Sequence, residues 1–375
     1  MKITDVIAHP LTMPIAAGQH RTHWGDYPSV SMLVVEIVTD DGVIGFGEGL
    51  VRLCPESYAL MVQNLLRSAL LGRDPFHVEK IWQDLVGRFH SKVGHMVLEA
   101  VAAIDIALWD IMGRATGRPI HHLLGSMGRK RVEVYASSIS WDAEEVALAQ
   151  TREAVQRGFP MLKLKLGNPV ERALKWAARL RAEVGDSIRL CADANGAYDL
   201  DDAIAVARGL HELGFYWLEE PIDPNDLSGY AMLRQASPMR IAAGESELLA
   251  VRARELISSR SIGVFQPDCT RSSGITETRK MVSLAHNFNI PYAPHLGAGG
   301  AIAAAANLQL AAAAPNFLIF ECMIFPSPLR DELATTRPAD PNDLQDGTIP
   351  IPIGPGLGIE INRDTLAKYR TGFSR

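Results

Sequence analysis

Asp193, Glu219 and Glu245 recur one βα unit apart, each at the end of a short apolar run, and each offers a hard oxygen donor. Three carboxylates aimed at one point would repel one another by on the order of several kcal/mol unless a cation sat between them. No Cys or His joins the trio, which disfavours zinc and favours Mg2+, whose octahedral shell would keep about three positions for water and substrate. Lys163 and Lys165 are two apart, so on a strand both point to one face while Leu162, Leu164 and Leu166 point to the other. An ordinary lysine has a pKa of about 10.4 and a general base works best near about 7–8, so about 4 kcal/mol must come from the surroundings. A second ammonium and a divalent ion are expected to supply it, making Lys165 the base while Lys163 offsets charge on the substrate. Asp268 and His295 follow at the same interval. A carboxylate bound to one imidazole nitrogen would fix the tautomer, raise the basicity and leave the other nitrogen free. Glu321 ends the series, either as a protonated donor to a substrate oxygen or as a structural carboxylate.

Each of these residues alone has an ordinary explanation: a solvated strand end, a turn, a cap or a loop. The common interval makes the set informative, because unrelated surface residues would not fall on one rim. From about Arg131 short apolar runs alternate with amphipathic segments, and strands are expected at 132–136, 161–166, 188–193, 216–219, 241–243, 262–266, 290–293 and 317–321. The segments 170–184 and 201–213 are long enough for one helix each. Such a rhythm predicts an α/β fold with a closed barrel of parallel strands, in which the C-terminal strand ends carry the chemistry. The first 125 residues read as α+β. Asp40-Asp41-Gly42 joins apolar runs at 34–39 and 43–48 as a hairpin, and 99–112 is a helix by its apolar spacing. Gly45-Phe46-Gly47-Glu48-Gly49 resembles a dinucleotide loop in glycine content only, since no long helix opens from it and Pro55 soon follows. The tail, with Pro326, Pro328, Pro338, Pro341, Pro350, Pro352 and Pro355, is loop-rich and expected to pack back onto the first domain.

Composition narrows the function classes. A chain of 375 residues with 47% hydrophobic content buries a large core, which excludes disorder and fibre. With 37 Lys+Arg against 43 Asp+Glu the formal charge is −6, so nucleic acid is not an expected partner. Cys54, Cys191, Cys269 and Cys322 are far apart and suit a reducing compartment. The start carries no basic segment followed by an apolar one, so a cytoplasmic location is expected. The alanine-rich stretch 301–314 holds Asn307 and Gln309 and is shorter than the roughly 20 residues of a membrane span, so it reads as a buried helix and no membrane is involved.

Taken with their neighbours, these residues resemble the enolase superfamily, mandelate racemase subgroup, over essentially the whole chain. The matching motifs are Lys163-x-Lys165, Asp193-Ala-Asn195, Trp217-Leu-Glu219-Glu220-Pro221, Gly244-Glu245-Ser246, the Asp268/His295 pair and Glu321. The resemblance implies a modified (β/α)7β TIM-type barrel over 126–325, capped by an α+β domain from 1–125 with 326–375 packed back on it. It implies Mg2+ on Asp193, Glu219 and Glu245, with Lys165 and His295 on opposite faces of a small-molecule carboxylate, in a symmetric homo-oligomer. Loops at 18–27 and 50–54 would close over the site, which makes Arg21, His23, Trp24 and Arg52 candidate substrate contacts together with Asn195. The implied chemistry is abstraction of the proton α to a carboxylate, with Mg2+, Lys163 and Glu321 stabilising the enediolate. Loss of a β-hydroxyl would make the enzyme an acid-sugar dehydratase acting on an aldonate or aldarate. Reprotonation from the other face would make it a racemase or epimerase. A polar, cationic loop with His20, Arg21, His23, Trp24 and Arg52 favours the polyhydroxy acid.

Overall fold

The computed structural model describes residues 1–87, 94–141 and 143–372. Its N-terminal part is built on the expected hairpin: Ser29–Thr39 pairs antiparallel with Ile44–Val51. On its other side Ser29–Thr39 pairs with Ile3–Pro14, a strand the sequence reading does not anticipate. Pro10 and Pro14 interrupt its pattern, and it takes an edge of the sheet, where missing N–H groups are tolerated. The helix expected at 99–112 runs from His95 to Thr116 and stops at Gly117, in the left-handed region at φ 64.

The barrel strands are Arg131–Ile139, Met161–Lys165, Arg189–Asp193, Phe215–Glu219, Arg240–Ala243, Val264–Phe265 and Phe320–Met323, all parallel, with the last paired to the first. The run expected at 290–293 is not an extended strand. Tyr292 alone bridges Phe265 and Phe317 and completes the ring. Pro291 and Pro294 flank it, and without their N–H groups the ladder cannot lengthen. Outside lie the helices Glu144–Arg157, Val170–Val184, Leu200–Glu212, Leu227–Ala236, Ala250–Ser258, Ile275–Asn287 and Ala301–Ala313, one after each strand position but the last. This is the (β/α)7β order. Asp199 and Asp226 cap two of them by accepting backbone N–H bonds from Asp202 and Gly229.

The tail touches both parts. Thr348–Pro350 runs antiparallel to the start of the first barrel strand, Arg370 bridges Leu11, and Arg363 holds Glu36 at 2.8 Å. Two carboxylates of the N-terminal part cap barrel helices across the interface. Glu48 accepts from the N–H groups of Gly300 (2.6 Å) and Ala303 (3.0 Å) at the head of Ala301–Ala313. Asp105 accepts from the Thr276 N–H (2.9 Å) at the head of Ile275–Asn287. These helices follow the loops that carry Asp268 and His295. Among the described residues all four cysteines are unbonded, and no helix is long and apolar enough to cross a membrane.

Candidate active site

Strand register places the acidic residues. Lys165 pairs with Asp193, and Asp193 with Glu219, so three charged side chains end three neighbouring strands in one row. Glu245 reaches them after Gly244, whose φ of 139 and closeness to Gln266 exclude a side chain: a Cβ there would lie 2.7 Å from the Gln266 backbone nitrogen. The carboxylates of Asp193, Glu219 and Glu245 are buried and present oxygens within 4.8 Å of one another. Burial, with the neighbouring Asp193 and Glu321 carboxylates, pushes Glu219 up from the ordinary carboxyl range despite Lys163 beside it. Three hard oxygens with no sulfur or nitrogen donor among them fit a small hard dication such as Mg2+.

The two lysines have different surroundings. Lys163 is fully buried and lies 2.7 Å from both Glu219 and Glu321 and 3.7 Å from Asp193. In this structure its charge is met by protein carboxylates. It lies two residues before Lys165 on the same strand and touches Glu321, which lines the cavity. Lys165 does line the cavity and forms an ion pair with Asp193. Burial, the largest single influence, would lower its pKa, as would Lys163, but Asp193, Glu219 and Glu245 together hold it above the ordinary lysine value. The expected downshift relied on a divalent ion as well as the second ammonium; here the Asp193 carboxylate pairs with Lys165 directly.

Asp268 and His295 meet as expected, with His295 Nδ1 3.0 Å from Asp268 Oδ2. The far oxygen of Asp268 accepts from the Thr270 N–H at 2.9 Å and its hydroxyl at 2.7 Å, so the carboxylate is fixed before it orients the ring. Gly297, at φ 54, lets the backbone pass the imidazole, where a Cβ would come 2.8 Å from Cε1. The second nitrogen is not free: Nε2 lies 3.0 Å from Glu245 Oε2. Burial works against the imidazolium, yet Glu245 and Asp268 together raise His295 to about 10. Glu321 is not a protonated donor. It accepts from Lys163, from the Ser137 hydroxyl at 2.6 Å and from the Leu296 N–H at 2.7 Å. Against the effect of burial, Lys163 and His295 hold it down at about 2.

Of the expected substrate contacts, Arg52 and Asn195 line the cavity. Arg21 does not; it pairs with Asp26 at 3.0 Å across a small turn. His23 and Trp24 pack edge to face, and the largely exposed Trp24 donates its indole N–H to the Asn195 carbonyl at 3.0 Å, as a strap on the loop. The cavity wall also holds His20, expected in the closing loop, and Thr22, Tyr27, Ser137, Ser138 and Met323, which the sequence reading did not single out. Ser137 and Ser138 were findable, since they lie near the C-terminal end of the first barrel strand. His20 lies between the Tyr27 and Phe325 rings, and burial, with the nearby Lys165 and Arg52 cations, lowers it to about 3, so it is a neutral imidazole. The cavity is closed down to about 20 Å³, the room of roughly one water.

Comparison with known proteins agrees with this geometry. Residues 146–365 match the family model for the enolase C-terminal domain-like fold. Residues 3–125 match that of the mandelate racemase / muconate lactonizing enzyme N-terminal domain. The chain therefore belongs to the enolase superfamily, in its mandelate racemase branch. It is 33% identical to a D-galactarolactone cycloisomerase of Agrobacterium fabrum over 99% of both chains. It is 29% identical to a D-gluconate dehydratase of Thermoproteus tenax, over 95% of this chain and 73% of that one. Among solved structures it superposes on a racemase from Streptomyces coelicolor A3(2) with bound magnesium at a TM-score of 0.89 and 28% identity, covering 98% of this chain and 100% of that one.

Proposed function

We propose that the protein is a Mg2+-dependent dehydratase of a sugar acid, an aldonate or aldarate, giving a 2-keto-3-deoxy acid. The observation that carries this reading is that two proton-transfer groups from different strands, Lys165 and His295, line the same cavity as the triad member Glu245. In this reading Lys165 acts as the neutral amine, its own proton passing to solvent once Asp193 no longer pairs with it, and its Nζ accepts the proton from the carbon α to the carboxylate. The electron pair left behind forms the new C=C bond as the β C–O bond breaks, and the departing oxygen takes a proton from His295 Nε2 and leaves as water. The resulting enol moves its hydroxyl proton to the β-carbon and becomes the ketone. Mg2+ on Asp193, Glu219 and Glu245 would neutralise charge growing on the substrate carboxylate and compete for the oxygens that otherwise pair with Lys165 and His295. Asp268 orients the imidazole, and Glu321, through the Leu296 N–H, fixes the chain beside it. The same reading treats residues 1–125 and 326–375 as the cap over a 126–325 barrel, and the enzyme as a cytoplasmic homo-oligomer whose size light scattering will give.

A second reading comes from the cycloisomerase relative: the same α-proton abstraction could expel a ring oxygen in place of hydroxide. A third, racemisation, needs no leaving group and uses the same two residues. Proton NMR in heavy water on a library of mono- and diacid sugars and their lactones separates the three, since only dehydration releases water with a 2-keto acid. EDTA is expected to abolish turnover and Mg2+ to restore it; a metal-stripped enzyme at full rate would refute the metal's part. His295→Asn should lower keto-acid formation by about 10²–10⁴-fold while α-deuterium exchange through Lys165 persists, and Lys165→Met should lose the exchange. Retention of both activities in both variants would rule out the two-residue assignment.

A further inference from the structure

We propose that Arg52 receives a second carboxylate, so that the substrate is a sugar diacid, bound by its reacting end at the triad and by its far end at the cap. This inference rests on the dehydratase reading and narrows it. Two arginines of the cap are candidates, and the structure separates them. Arg21 already has a carboxylate, Asp26 at 3.0 Å. Arg52 has none within ion-pair distance among the described residues; it lies over the face of Tyr27, 5.4 Å from the ring centroid.

That contact engages none of the guanidinium N–H groups in a hydrogen bond, and their paired fork matches a carboxylate or phosphate. Arg52 is only partly exposed and lines the cavity that also holds Lys165 and His295. A half-buried cation without a counter-ion is costly unless an anion arrives to meet it. The other cap groups on the wall, His20, Thr22 and Tyr27, carry no negative charge. His20 Nδ1 is buried with no hydrogen-bond partner, which gives the chain of a polyhydroxy acid a polar contact beside Arg52. The cap therefore offers one strong anion receptor and one neutral hydrogen-bonding group. A terminal CH2OH would leave the guanidinium unpaired, and a terminal carboxylate would satisfy it.

The experiment measures kcat/KM for 2-keto acid formation with Mg2+ on aldarates, on aldonates of matching configuration and on the 6-phosphorylated aldonates, in the wild-type protein and in Arg52→Gln and Arg52→Lys. An aldarate is expected to exceed its aldonate by about 100-fold or more, and Arg52→Gln should shrink that ratio to within about 10-fold, chiefly through KM. Arg52→Lys, which keeps the charge without the fork, should fall between. Equal or faster turnover of the aldonate, preference for the phosphorylated acid, or a ratio unmoved in a folded Arg52→Gln would each overturn the diacid assignment and leave dehydration standing. Absence of both keto acid and α-deuterium exchange from every series would overturn the dehydratase reading and this inference with it.

Discussion

Arg271 carries the influence of the cap into the acidic triad. It is largely buried; its Nη1 lies 3.3 Å from Glu245 and its Nε 3.7 Å from Glu99, a residue of the long helix His95–Thr116. Glu99 is itself held by the Tyr58 hydroxyl at 2.7 Å. Groups that orient a ligand behind a metal commonly alter its affinity by about 10–100-fold. Arg271→Met should therefore raise the Mg2+ concentration for half-maximal activity within that range, with a smaller effect on kcat at saturating metal. A Mg2+ titration that overlays the wild type would remove Arg271 from the site's support. At this scale the sequence disclosed the charged strand ends, because the barrel rule ties chemistry to those positions. It could not disclose which partner each would choose. Lys163 against Glu321, His295 against Glu245 and Arg271 against Glu99 join residues far apart in the chain, and spacing says nothing about such pairs.

The glycines of Gly45-Phe46-Gly47-Glu48-Gly49 have a packing role. A Cβ at Gly45 would meet the Ala107 carbonyl at 2.3 Å, at Gly47 the Ala103 carbonyl at 1.8 Å, and at Gly49 the Glu99 carbonyl at 2.4 Å. Two residues of strand rise about 6.6 Å and four of helix about 6 Å, so alternate glycines keep step with successive helical turns and the strand lies directly on the backbone of His95–Thr116. The same strand delivers Glu48 to the head of Ala301–Ala313. Gly47→Ala should destabilise by about 3 kcal/mol or more in urea unfolding, or yield no soluble protein. A melting temperature within a degree of the wild type would show that the strand can lift away at no cost. The sequence revealed the hairpin and most of the barrel elements through apolar periodicity, which local chain geometry imposes. It hid the glycine seam because the partner surface is a helix some fifty residues on, and it placed a full strand around Tyr292 because apolar content outweighed the two flanking prolines in that reading.

Across the whole molecule, the interface between cap and barrel contains acids that resist ionisation. Burial raises Glu48 to about 7 against the pull of the Gly300 and Ala303 N–H groups, and raises Asp105 to about 7 against its bonds to Thr276. Their unfolded values are 4.5 and 3.8, so the folded state holds more protons than the unfolded state between roughly pH 4 and 7. Stability contributed by these two groups should thus fall as the pH rises through that window, by at most about 3 kcal/mol for Glu48 and about 4 kcal/mol for Asp105. Urea unfolding at pH 5 and at pH 7.5 is expected to show a smaller difference in Glu48→Gln than in the wild type; an identical difference would mean that Glu48 ionises without penalty. The ring closure has a consequence for biosynthesis. Strand Arg131–Ile139 finds one neighbour almost at once in Met161–Lys165, but its other edge waits for Phe320–Met323 and Thr348–Pro350. During synthesis that edge therefore stays unpaired until both late segments have emerged, which leaves the sheet open to pairing with other chains for most of the barrel's translation.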